Sequence, residues 1–184
     1  VANATPDCHT LLLSGLPVPL HAITGRKLPY DTATQLAPVS HITNVPNLLV
    51  VPASSPFRNL TELVEYARRN PGKLNCGSFG TGSVAHIYCE LIKIQTGADW
   101  VHVPFKGAAA LITDYSVGRV DLTFLTVGSV LQHWKAGKVK ILAINTPRRY
   151  RTLPDLPAIT EEMPKINLLT NHRALPIQFW TMCV

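Results

Sequence analysis

Long apolar runs are missing from this sequence of 184 residues. Proline, glycine and charged residues interrupt the hydrophobic positions every few residues, and nothing approaches the roughly 20 consecutive apolar residues of a membrane-spanning helix. Cysteine is scarce as well. The four present, Cys8, Cys76, Cys89 and Cys183, form no C-x-x-C pair and have no histidine at metal-ligand spacing, which leaves thioredoxin-like chemistry and a zinc site without support. Each is expected as a small buried hydrophobe. Also absent are a G-x-S-x-G elbow, a P-loop, an H-E-x-x-H helix and a catalytic acid pair, because Glu161 and Glu162 stand in a loop-like stretch beside Pro164. No enzyme activity, metal or cofactor is expected. Acidic residues are few: 11 Asp and Glu against 17 Lys and Arg give a formal charge of +6, which favours anionic partners. The basic residues are scattered, however. Their densest cluster, Arg148, Arg149 and Arg151, has Tyr150 as its aromatic neighbour and matches no nucleic-acid-binding signature, so nucleic acid is not an expected partner.

What is present is enough to fold. With 46% hydrophobic and 15% charged content the chain can bury a core, as one domain or as two small lobes. Strand-like runs at 10–13, 47–51, 74–76, 100–103, 120–125 and 139–144 alternate with helical patterns, which predicts an α/β architecture on a largely parallel sheet. One helix follows Asn59 and Thr61, spaces Leu60, Leu63, Val64 and Ala67 along one face, and closes at Asn70, Pro71 and Gly72. A second starts after Ser83, a favourable N-cap, and ends at Gly97. Further helices are predicted over 108–115 and 130–136. The Pro-punctuated segment 38–56 reads either as a crossover between lobes or as a plain strand within one.

The chemistry sits in loops. Residues 75–86 form a glycine-rich connection that leaves a strand and opens a helix, and it contains Ser78, Gly80, Thr81, Gly82, Ser83 and His86. Amides at a helix start lack intrahelical acceptors, and glycines allow close approach, so a carboxylate or phosphate fits there. Gly80 to Ala85 also satisfies G-x-G-x-x-A, which makes a nicotinamide-dinucleotide enzyme the rival reading. That fingerprint requires an acidic residue at the end of the following strand, where this chain has Val103-Pro104-Phe105-Lys106. A second strand-to-helix loop carries Lys106 and Gly107, and a third spans 126–129 and starts at Thr126. In a parallel sheet such loops emerge at one edge, where ligands of open α/β sheets bind. For the single side chains a bland alternative stays open: His86 as a packing residue, Lys106 as a solvated cation, Gly107 as a turn residue.

Stretches along the chain then resemble a known family. They are Thr5-Pro6-Asp7 with Thr10-Leu11-Leu12-Leu13, Lys27-Leu28-Pro29-Tyr30-Asp31, Ala37-Pro38-Val39-Ser40 leading to Val45-Pro46-Asn47, and Asn70-Pro71-Gly72-Lys73-Leu74. The 78–86 loop, His102-Val103-Pro104-Phe105-Lys106-Gly107, Gly118-Arg119-Val120-Asp121-Leu122, Ala136-Gly137-Lys138 and Leu153-Pro154-Asp155-Leu156-Pro157 continue the series. In this order they resemble the substrate-binding receptors of tripartite tricarboxylate transporters, the Bug proteins. The resemblance covers roughly residues 2–162.

The resemblance implies a two-lobed, periplasmic-binding-protein-like (type II) α/β fold in which the first lobe is incomplete, the chain being truncated at both ends. Residues 1–49 would be partial lobe one, 50–142 lobe two, and 143–184 the crossover back with an atypical tail. It implies a periplasmic receptor that takes a small organic carboxylate and delivers it to the membrane permease subunits of a tripartite transporter. A nonfunctional fragment of such a receptor is the alternative. By the resemblance, Ser78, Gly80, Gly82, Ser83 and His86 lie in the family's ligand-facing loop, Lys106 and Gly107 in a second, and Ser14 in the other lobe's loop. The family's usual Gly-Tyr after Pro-Asp is Cys8-His9 here, and Leu125 and Thr126 replace a polar pair near the ligand. Residues 165–184 carry none of the family pattern and end in a hydrophobic tip with no assigned partner, for which a shifted reading frame or decayed gene end is the expectation. A lobe short of strands is expected to expose apolar faces, and a site short of its closing lobe to bind weakly.

Overall fold

The computed structural model describes residues 2–5, 7, 9–14, 28–31, 34–116, 118–166 and 178–183. It divides into two units, Val1–Val45 with His172–Val184, and Pro46–Asn171. Cys8 and Lys27, singled out above, lie outside the described residues.

The first unit is built on three antiparallel strands, β1 (Leu11–Ser14), β2 (Ala37–Asn44) and β8 (Gln178–Cys183). Their order is β1-β8-β2. The hydrophobic tip therefore has partners after all: Leu11 to Ser14 pair with Cys183 to Trp180, and β2 pairs along the other side of β8 with two register shifts. Its pattern was illegible as a strand because a six-residue apolar run carries no sign of which distant segments will flank it. The strand at Ala37–Asn44 was likewise unforeseen, since Pro38 and the polar Ser40, His41, Thr43 and Asn44 obscure its alternation. Leu11, Leu13, Val39 and Ile42 each keep more than half of their surface exposed, so this sheet bears the uncovered apolar side chains that the sequence led us to expect.

The second unit holds the sheet that organises the loops. Its strands are β3 (Asn47–Pro52), β4 (Asn75–Ser78), β5 (Val101–Pro104), β6 (Leu122–Thr126) and β7 (Val139–Ile144), in the order β5-β4-β6-β3-β7. β4 runs parallel to β5 and β6. β3 runs antiparallel to β6 and β7, so the sheet is mixed where a largely parallel one was expected. Direction depends on how the chain re-enters the sheet after a connection, which strand composition does not record.

The helices are α1 (Leu60–Arg69), α2 (Val84–Thr96), α3 (Ala108–Ser116), α4 (Val127–Lys135) and the single turn α5 (Ile159–Glu162). Two follow local signals closely. Asn59 Oδ1 accepts the Glu62 amide at the start of α1, Ser83 caps α2, and Gly97 ends α2 in the left-handed region at φ 71°. α3 ends one residue past its predicted limit. α4 begins three residues earlier than predicted: Thr126 is extended at its N-cap and Val127 is already helical, so 126–129 is no loop, and strand passes directly into helix. Val127 packs against the buried core there, which supplies the tertiary reason.

α2 packs over β4 and β6 on one face, with Tyr88 edge-on to Phe124 at 5.1 Å between ring centroids. On the opposite face Leu48, Val50, Leu111, Tyr115, Val120, Leu125 and Val130 form one buried cluster. A correction concerns the cysteines. Cys76 on β4 and Cys89 on α2 are both fully buried but are not separate hydrophobes: they are joined as a disulfide, Cα to Cα 6.7 Å. Pairing was invisible in the sequence because no motif brings two cysteines 13 residues apart together until α2 lies on β4.

The segment after β7 stays on this unit. The Ile144 amide donates to Pro157 O at 2.9 Å, and Glu162 Oε2 accepts the Leu60 and Thr61 amides at 2.7 and 3.2 Å. A carboxylate thus sits on the open amides of α1 from 100 residues away, where the helix dipole favours it. Glu162→Ala is expected to lower the unfolding free energy by about 1 kcal/mol. Glu162→Gln, which keeps an acceptor and loses the charge, should fall between wild type and alanine in a urea titration; an unchanged midpoint for alanine would show that the cap contributes nothing.

Candidate functional site

Because β4, β5 and β6 are parallel neighbours with β4 in the middle, their carboxyl ends finish at one edge of the sheet. The connections from Ser78 to α2, from Pro104 to α3 and from Thr126 to α4 therefore start side by side. β3 runs the other way, so its first residue, Asn47, which is buried, joins that edge by pairing with Thr126. Asn145, also buried, donates its backbone amide to the Asn47 backbone carbonyl at 2.8 Å just past the end of β7. Buried side-chain amides without an apolar role are informative, and neither was singled out from the sequence. The signal available for Asn47 was its place after Val45-Pro46.

The glycine-rich connection is held by its own side chains. Gly80 and Gly82 have φ 109° and 80°, a region that a side chain would strain. Around this turn the Ser83 amide donates to Gly80 O at 3.1 Å. The Gly80 amide donates to Ser78 Oγ at 3.1 Å, and the Gly82 amide to His86 Nδ1 at 3.1 Å. Ser83 Oγ accepts the His86 amide. Ser78 is fully buried, half-buried His86 lies one turn into α2, and Thr81 is exposed at the tip. Two of the predicted residues, Ser78 and His86, thus hold the loop's amides. The amides of Val84 and Ala85, within the first turn, have no intrahelical acceptor.

His102, which the sequence reading left inside a strand, belongs to this group. It pairs with Cys76 in the β5–β4 register, so its side chain is on the face covered by α2. Its Nε2 lies 2.6 Å from Ser78 Oγ, and its ring stacks on His86 with centroids 3.9 Å apart and planes at 25°. Burial, then the neighbouring His86, hold the His102 imidazole below the ordinary histidine value, with Lys93 acting in the same sense and Glu90 against it. Strand alternation could have placed His102 on a face, but which face α2 would cover required the fold.

Of the remaining predicted residues, Lys106 is exposed in the second connection, and Gly107 takes φ 132° and accepts the Leu111 amide at 3.3 Å through its carbonyl. That connection is tied to the first, because the Phe105 amide donates to Ser78 O at 2.8 Å. Thr126 Oγ1 lies 2.9 Å from Ser129 Oγ at the start of α4. Ser14 is in the other unit, at the end of β1 opposite Trp180. Among the described residues no three His, Cys, Asp or Glu side chains gather as a metal site, and no helix is long and apolar enough to cross a membrane.

The chain is similar to known proteins. The profile of the TctC family, described as the tripartite tricarboxylate transporter family receptor, matches residues 1–171. The UPF0065 protein of the tcbD-tcbE intergenic region of Pseudomonas sp. (strain P51) is 34% identical over 172 residues, which is 92% of this chain and 51% of that protein. Among solved structures, R. palustris Rpa4515 with adipate superposes with a TM-score of 0.77 at 33% identity, covering 98% of this chain and 58% of that one. Periplasmic binding protein BugD superposes with a TM-score of 0.75 at 25% identity, over 100% of this chain and 59% of that one. The chain spans about half the length of the curated relatives it matches.

Proposed function

This chain belongs to the tripartite tricarboxylate transporter family of receptors, and on that premise we propose that it binds a small organic carboxylate outside the cytoplasm and passes it to a membrane permease. The observation that carries the reading is the convergence of three strand-to-helix starts on one sheet edge, with the glycine-rich one at its centre. One carboxylate of the ligand rests on the open amides of α2 and on Thr81, Ser83, Gly107 and Thr126, with Lys106 supplying a cation. Ser78, Gly80, Gly82 and His86 shape the loop that receives it. The two compact units, Val1–Val45 with His172–Val184 and Pro46–Asn171, support a two-lobed receptor. Adipate in the similar Rpa4515 structure supports a dicarboxylate, and the Cys76–Cys89 disulfide supports an oxidising compartment.

The dinucleotide reading loses ground on one point: the Gly82 amide, which a pyrophosphate would need, is already donated to His86. Amide chemical shifts followed during titration with adipate, and separately with NAD, distinguish the two. Adipate is expected to move the amides of residues 78–86, 105–108 and 126–129. Saturation by NAD at micromolar concentration, or adipate shifts confined to other residues, would overturn the proposal.

A further inference from the structure

Resting on the carboxylate reading of this site, we propose that His102 is its proton-coupled binding residue: as an anion settles among the loops, His102 takes up a proton from solvent at Nδ1 while His86 stays neutral.

The assignment follows from counting donors and acceptors. His86 Nδ1 accepts the Gly82 amide at 3.1 Å, so that nitrogen carries no proton and Nε2 carries the one proton of a neutral ring. Protonating His86 would put two hydrogens face to face and open the glycine turn. His102 is placed differently. Ser78 Oγ contacts Gly80 O at 3.1 Å and accepts the Gly80 amide at 3.1 Å. If the hydroxyl donates to Gly80 O, its remaining lone pair accepts Nε2–H of His102 at 2.6 Å, and every hydrogen has a place. That leaves Nδ1 of His102 as the open nitrogen. A proton added there breaks no bond in the loop.

The stacking limits the pair to one charge. Two imidazolium rings with centroids 3.9 Å apart repel strongly, whereas one imidazolium over a neutral ring is attracted by the ring face. The titratable groups facing His102 come from α2: His86, Glu90 and Lys93. β4 presents the neutral Ser78. Lys93 is itself engaged with Glu90 at 3.6 Å and Asp99 at 3.4 Å, which blunts its opposition to a cation beside it.

The loops also need a cation. Between 78 and 86, 105 and 108, and 126 and 129, the permanently charged basic side chain is that of Lys106 alone, and it is exposed. A dicarboxylate brought into these connections meets more negative charge than one solvated ammonium offsets. An empty site keeps His102 neutral near pH 7, since burial holds its imidazole down. An arriving carboxylate reverses that balance, because an opposite charge nearby favours the protonated ring.

The test is a histidine-detected NMR titration of the 184-residue chain between pH 6 and 8.5, with and without saturating adipate, which is predominantly dianionic over that range. The ring carbons and both ring nitrogens are followed. Adipate is expected to raise the midpoint of His102, with the Nδ1 shift moving from acceptor to N–H, and to leave His86 as the Nε2–H neutral ring. By linkage, adipate should bind roughly fivefold or more tightly at pH 6 than at pH 8.5. His102→Gln keeps a donor toward Ser78 Oγ and cannot accept the proton, so its affinity should lose this pH dependence while loop amides still respond. A His102 midpoint identical with and without adipate, while amides of the loops report binding, overturns the proposal and leaves the carboxylate reading intact. Uptake of the proton by His86 overturns it as well. If adipate disturbs no loop amide at any pH, the carboxylate reading itself falls and the proposal falls with it.

Discussion

Gly77→Ala is expected to destabilise the chain by about 2 kcal/mol, a large cost for one methyl group. Gly77 lies in β4 with Leu111 of α3 and Val120 directly over it. A Cβ built there would lie 2.8 Å from Val120 Cγ1, with Leu111 Cδ1 closer still. Both neighbours are fully buried, so neither can swing aside into solvent. The strand itself permits alanine. Space forbids it: the glycine is what lets α3 approach β4, and α3 carries the connection with Lys106 and Gly107. The measurement is a urea titration of Gly77→Ala, Leu111→Ala and the double variant. Leu111→Ala alone should cost about 2–5 kcal/mol, and the double variant less than the sum, because the added methyl occupies room that leucine vacates. Additive losses, or a neutral Gly77→Ala, would mean that the helix does not press on the strand as described.

Replacing the Cys76–Cys89 disulfide by Cys76→Ala with Cys89→Ala should cost about 3 kcal/mol, the entropy of opening a short covalent loop in the unfolded chain. The bridge joins residues 13 apart, and the covalent ring encloses Gly77, Ser78, the glycine turn, Ser83 and His86. It therefore clamps the strand that ends in Ser78 to the helix that starts at Val84. A reductant should lower the urea midpoint of the wild-type chain and leave the double variant unmoved. Alkylation of unfolded, unreduced protein, read by intact mass, should leave Cys76 and Cys89 unmodified. If both alkylate in protein recovered from an oxidising compartment, the bridge is not part of the native molecule.

Particular elements mark how far sequence reading reaches. The caps at Asn59, Ser83 and Gly97 were legible because a helix end is satisfied by residues within one turn of it. The apolar spacing of Leu60, Leu63, Val64 and Ala67 was legible for the same reason: helical neighbours are three and four residues apart. The family was legible from the order of its motifs. By contrast, the early start of α4 was hidden, since Val127 becomes helical by packing on a core assembled from β3, α3, β6 and β7. The strand at Gln178–Cys183 was hidden because both partners lie more than 130 positions away.

The candidate site divides the same way. Gly80, Gly82, Ser83 and the α2 start could be read as an anion-accepting turn from the sequence by itself, because positive φ and helix-start amides are local properties of the backbone. The sequence also shows Lys106 as the permanently charged basic residue of these connections, and it carries no nucleophile motif there. Only the tertiary structure decided that Cys76 meets Cys89, that Gly77 lies under Leu111, and that His102 stacks on His86 while touching Ser78. Each of these depends on which face of β4 and β5 receives α2 and which receives α3. That choice is made by burial summed over the whole sheet, and it leaves no mark on any one stretch of chain.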